Sequence, residues 1–92
     1  MNVKKIMCCC GSGLGSSLMV RINVEKTVKK LGIGGVEVLH SSLSDVSPGS
    51  ADLFVVGADL ANFTKAFPNV ILLENIMSLP ELEEKLAKVF AD

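Results

Sequence analysis

Cys10 stands directly before a run of small residues, Gly11-Ser12-Gly13-Leu14-Gly15-Ser16-Ser17, which leads into an apolar segment. A thiol followed by flexible backbone suits one kind of chemistry. The N–H groups of such a run turn inward to form an anion nest. A helix starting there adds unpaired N–H groups and a partial positive charge, worth about 0.3–1 kcal/mol to an anion at a surface site. Ser16 and Ser17 are helix-capping types whose hydroxyls also bond an oxyanion. At the mouth of the nest a thiol pKa falls from about 8.5 towards roughly 3.5–7.5. The thiolate is then a nucleophile with an oxyanion cradle around it. These residues point to a phosphate or similar group, bound without a cation from a side chain. Glycines also make tight strand-to-helix turns, but three of them in Gly11–Gly15 exceed what a turn needs.

Other chemistries fit less well. The dinucleotide pattern G-x-G-x-x-G finds Ser16 in its third glycine place, and no second half follows for a dinucleotide. No Gly-Lys-Ser/Thr closes the loop, so it is not a Walker A sequence. Cys8, Cys9 and Cys10 are consecutive. Neighbours in a strand point to opposite faces, so they diverge rather than converge on zinc. They also lack C-x-x-C spacing for redox exchange. Cys8 and Cys9 read as small buried hydrophobes. A Cys–His pair stays open through His40, which ends a strand expected beside the first. The Cys-x5-Arg loop of cysteine-dependent phosphatases needs arginine where this chain has Ser16, so the bidentate clamp on a transferring phosphoryl group is missing. Asp45 and Asp59 are the only loop carboxylates available as a leaving-group acid, and Asp59 reads better as a first-turn helix residue. Poor hydrolysis is what a phosphoryl carrier requires. No cofactor and no metal is expected.

Those residues need a scaffold. Residues 3–9 are a short apolar run that ends at glycine, a buried strand. Residues 16–31 repeat Val20, Val24, Val28 and Leu31 at helical spacing, with Lys29 and Lys30 in the last turn and Gly32 as the stop. Residues 36–40 are a second strand, and residues 41–51 a polar loop with room for one helical turn near 43–46. Residues 52–57 are apolar throughout, as in a strand buried on both faces. Residues 58–67 read as a short helix and 70–74 as a fourth strand. Ser78-Leu79-Pro80-Glu81 is a capping-box sequence with proline in the first turn. It opens a last helix to Phe90 that turns Leu82, Leu86, Val89 and Phe90 inward. The alternation predicts an α/β fold: a small four-stranded parallel sheet in the order 2-1-3-4, helices on both faces, a flavodoxin- or Rossmann-like three-layer sandwich. In such sheets ligands bind at the carboxyl ends of the strands where the order reverses. Cys10 lies there.

Composition narrows the field further. The 92 residues suit a single domain over 1–92, and a chain of that length buries roughly 60–65% of its unfolded surface. Hydrophobic residues are 49% and charged residues 21%, the balance of a compact globular protein. With 9 basic and 10 acidic residues, net charge -1, and no Trp or Tyr, there is neither a basic stripe nor a stacking platform, so no nucleic acid is expected. No apolar run reaches the roughly 18 residues of a membrane span, and the apolar stretch after Lys4 and Lys5 is too short for a signal peptide. A cytoplasmic chain with free thiols is expected.

The order strand, Cys10-Gly11-Ser12-Gly13-Leu14-Gly15-Ser16-Ser17, helix resembles enzyme IIB of the bacterial phosphotransferase system (PTS). It is most like the ascorbate-type branch, with the galactitol and lactose/cellobiose types as relatives. The resemblance implies a four-stranded parallel α/β domain and a phosphotransferase whose active cysteine, at the end of the first strand, maps onto Cys10. It implies that Cys10 takes a phosphoryl group from a histidine of IIA and passes it to a sugar or ascorbate bound by the membrane component IIC. Residues 11–17 would hold the phosphate, and the chain would associate peripherally with the membrane through IIC. Leu14, Leu18, Met19, Val20 and Ile22 cover more of the helix than one buried face needs, so Leu18 or Met19 is free to meet partners, with Arg21 beside them. A regulatory IIB-like module, or a small cysteine phosphatase or thiol redox protein, are the alternatives.

Overall fold

The computed structural model describes residues 3–10, 14–42 and 45–91; the side chains of Cys10 and residues 14–17 lie outside the described part. The elements run β1 (Lys5–Cys10), α1 (Leu14–Lys30), β2 (Glu37–Ser42), β3 (Leu53–Gly57), a 3-10 helix (Ala58–Phe63), β4 (Val70–Leu73) and α2 (Leu79–Phe90). The strands form one parallel sheet in the order β2-β1-β3-β4. This is the expected α/β sandwich and the expected strand order.

The central strands explain their own sequence. Ile6 and Cys8 face one side of the sheet, Met7 and Cys9 the other, and all four are buried. Every residue of β3 is buried too. On the first side lie both α-helices. Val20, Val24 and Val28 of α1 and Leu82 and Leu86 of α2 close over Ile6, Cys8, Val38, Leu53, Val55, Ile71 and Leu73. The second side is thinner. There Met7, Cys9, Phe54 and Val56 are covered by Leu60 of the 3-10 helix and by Val46, Ala51 and Phe67. The Phe54 and Phe67 rings sit 4.6 Å apart at 56°. Chain direction explains the division. The step from β1 to β2 runs opposite to the later steps, and right-handed crossovers then place the connections on opposite faces.

Helix ends follow the sequence signals, with two changes. At the end of α1 the N–H of Ile33 reaches the Val28 carbonyl (3.1 Å) and that of Gly32 the Lys29 carbonyl (3.1 Å), with Gly32 at φ 74. This is a Schellman stop, with Ile33 and Val28 sharing the core. Residues 58–67 do not form an α-helix: a 3-10 helix stops at Phe63. The Thr64 N–H and hydroxyl both bond the Ala61 carbonyl (3.2 and 3.0 Å), and Pro68 disfavours helical backbone before it. At α2 the Ser78 hydroxyl accepts the Glu81 N–H at 3.3 Å. The Glu81 carboxylate, however, does not close a capping box on Ser78. It accepts the N–H groups of Glu74 (2.7 Å) and Asn75 (2.9 Å) and the Lys85 ammonium (2.8 Å), while Lys85 also bonds the Leu72 carbonyl. The helix start thereby clamps the chain leaving β4. The helical turn expected near 43–46 involves Leu43 and Ser44, which are outside the described residues.

Candidate active site

Strand β1 ends at Cys10 with its Cα opposite Ser42 of β2. Helix α1 begins at Leu14, so Gly11, Ser12 and Gly13 alone join strand to helix. Those three residues are outside the described part, as are the side chains of Cys10, Leu14, Gly15, Ser16 and Ser17. The backbone nonetheless sets the geometry. Cys10 occupies the carboxyl end of a central strand, at the reversal of strand order, immediately before the N-terminus of a 17-residue helix. A helix start leaves its first N–H groups without intrahelical partners and carries partial positive charge. No acidic residue stands in the first turn of α1 to compete with a bound anion.

Cys8 and Cys9 are different. Neither is in a disulfide; they are exposed by 0% and 1%, one in the core on each side of the sheet. Burial above all pushes the Cys8 thiol far up from its ordinary pKa, and the neighbouring Cys9 and Glu25 push the same way against Arg21. A thiol held protonated in a dry core is neither a nucleophile nor a metal ligand. Among the described residues no group of three or more His, Cys, Asp or Glu side chains is placed to hold a metal.

His40 is on the strand beside β1, as expected, but in register with Cys8, not Cys10. Its Nδ1 lies 3.1 Å from Nη1 of Arg21. The pairing was missed in the sequence. The alternation Val36, Val38, His40 puts the imidazole on the α1 side, and only the packing of α1 over β2 shows that Arg21 meets it. Beyond β2, the Ser42 hydroxyl donates to Asp45 at 2.7 Å, so this carboxylate is already engaged beside the strand end. Asp59 stands in the first turn of the 3-10 helix. It folds back over Gly57: a Cβ there would fall 2.6 Å from Asp59 Oδ1. Leu18 and Met19 remain 42% and 41% exposed on the early turns of α1, as the surplus of apolar residues suggested.

Residues 5–88 fit the model of the PTS system lactose/cellobiose-specific IIB subunit. The chain belongs to the PTS IIB family. The ascorbate-specific PTS system EIIB component of Mycoplasma pneumoniae (strain ATCC 29342 / M129 / Subtype 1) is 31% identical over 87 residues, covering 91% of this chain and 92% of that protein. The mannitol-specific cryptic EIICB component of Escherichia coli (strain K12) is 32% identical over 93 residues, 99% of this chain but 20% of that protein. The mannitol-specific EIICB component of Bacillus subtilis (strain 168) is 30% identical over 91 residues, 96% of this chain and 19% of its own length. The chain thus spans about a fifth of those two EIICB proteins. PTS EIIB components are phosphotransferases of sugar transport systems, and the four-stranded IIB fold is the scaffold that carries that activity here.

Proposed function

We propose that residues 1–92 act as one EIIB domain in which Cys10 is the phosphoryl carrier. The thiolate attacks the phosphorus of a phosphohistidine on IIA; an S–P bond forms, the N–P bond breaks, and the imidazole keeps the electron pair. A hydroxyl of the carbohydrate or ascorbate bound by IIC then attacks the phosphorus and the thiolate leaves. The N–H groups and hydroxyls of Gly11, Ser12, Gly13, Leu14, Gly15, Ser16 and Ser17 cradle the phosphoryl oxygens. Ser16, in place of an arginine, leaves the phosphocysteine without a side-chain clamp, which suits a carrier better than a phosphatase.

One observation carries this reading. Of three consecutive cysteines, two are sealed in the core and the third ends a central strand just before a helix N-terminus. Association with IIC is supported by the EIICB relatives, whose names join the two components. Across the relatives the named substrate changes, ascorbate in one and mannitol in two, which fits substrate choice lying with IIC. Leu18 and Met19, exposed in the early turns of α1, supply an apolar surface for partners. The domain works at the cytoplasmic face, held to the membrane through IIC; among the described residues no helix is long and apolar enough to cross a membrane. Incubation with phosphoenolpyruvate, the general PTS proteins and IIA, followed by intact mass, tests the assignment. One phosphoryl group is expected, absent in Cys10→Ser and present in Cys8→Ser and Cys9→Ser; labelled Cys10→Ser refutes it.

A further inference from the structure

Arg21 of α1 meets His40 of the edge strand β2 through Nη1 and Nδ1, 3.1 Å apart. A guanidinium has only donors. Nδ1 of His40 must therefore accept, and the imidazole proton resides on Nε2. Protonated histidine carries hydrogens on both ring nitrogens and offers no acceptor. The bond exists only while His40 is neutral, and a charged imidazole would face a guanidinium in its place. Arg21 has little to fall back on. Its Nε is buried without a hydrogen-bond partner, and the Glu25 carboxylate stands 3.8 Å away. Beside His40 stand Arg21 from α1, which the Glu25 carboxylate approaches in turn, and Cys8, its register partner, from β1. Asp45, beyond β2, is held by Ser42.

Arg21 lies about two helical turns from the start of α1, the end that follows the Cys10 loop. A shift of α1 against β2 moves the helix N–H groups that the proposed cradle uses, and group transfer is sensitive to misplacement on the order of 1 Å. We propose that His40 is a positioning residue: through Arg21 it holds the early half of α1 against β2, only as the neutral Nε2–H tautomer, so that phosphoryl acceptance at Cys10 weakens when His40 takes up a proton. The transfer part of this inference rests on Cys10 being the phosphoryl carrier.

His40 is the sole histidine of the sequence, so long-range 1H–15N spectra of the untagged protein report on it alone. At about pH 7.5 the Nε2–H tautomer is expected, because Nδ1 is the acceptor for Arg21; an Nδ1–H tautomer overturns the proposal. The second measurement is the ratio of initial phosphorylation rates at about pH 7.5 and about pH 5.5, with the same donor proteins throughout. His40→Asn keeps an acceptor near the Nδ1 position but does not titrate. The wild-type ratio should exceed that of His40→Asn by about fivefold or more, since one linked proton removes the competent state by up to about tenfold per pH unit. Equal ratios overturn the proposal. If His40→Asn does not fold, Arg21→Lys serves instead: it alters the donor, and the His40 tautomer preference should weaken. A wild-type protein that takes no phosphoryl group refutes the carrier role. The tautomer and amide exchange in α1 across the same pH range then decide the positioning claim, with no change in α1 exchange counting against it.

Discussion

Replacing Cys8 by serine and Cys10 by serine should produce opposite phenotypes from chemically identical changes two residues apart. Cys8 is 0% exposed and lies among Ile6, Val24, Val38, Val55 and other apolar side chains of the helix-covered face. A serine hydroxyl there loses water and finds an apolar wall, which costs about 1–3 kcal/mol. For 92 residues, total stability of about 5–14 kcal/mol is typical, so the loss is a sizeable fraction. A domain of this size moves about 4–8 °C in Tm per kcal/mol, which places the Cys8→Ser melt roughly 4–24 °C below wild type. Below that melt the variant should still take up one phosphoryl group. Cys10→Ser, at the strand end, should fold yet take up none. Circular dichroism melts and intact mass on the same samples read both properties. A Cys8→Ser protein with a wild-type melt would refute the dry-core argument. A folded Cys8→Ser protein that cannot be phosphorylated would move the chemistry to Cys8.

Other consequences are as direct. The Glu81 carboxylate, bonded first by Lys85 and then by the N–H groups of Asn75 and Glu74, is held down at about pKa 2. A lowered carboxylate stabilises the fold above its unfolded pKa of about 4.3. That contribution disappears as pH falls from there towards about 2. Glu81→Gln should therefore flatten the acid limb of urea-unfolding stability between those values, and an unchanged acid limb contradicts the clamp. Gly32→Ala, at φ 74, should cost about 1–2 kcal/mol in denaturant titrations, whereas Gly34→Ala, without positive φ and with open space around it, should not. Leu18→Asp with Met19→Asp, both at exposed positions, should leave stability within about 0.5 kcal/mol but slow phosphoryl transfer from IIA. Unchanged transfer would remove this patch from the docking surface.

Much of this protein was legible in the chain alone, for identifiable reasons. Strand order followed from doubly apolar segments joined by helices, because parallel strands must be covered on both faces and crossovers keep one hand. The divergence of Cys8 and Cys9 followed from the two-residue period of a strand. The stop at Gly32 followed from the left-handed backbone that a Schellman turn requires. These are local rules, and local sequence obeys them.

What the tertiary structure decided is who meets whom. Glu81 had a short-range partner available in Ser78 but turned to the chain leaving β4, because the clamp offers two N–H groups and a lysine together. The segment after β3 became a short 3-10 helix that stops at Phe63, where Thr64 bonds back to the Ala61 carbonyl. Arg21 and His40, 19 residues apart in sequence, meet because α1 lies across β1 and β2. Sequence spacing carries the period of each element but not the angle at which a helix crosses its sheet, and that angle selects the long-range pairs.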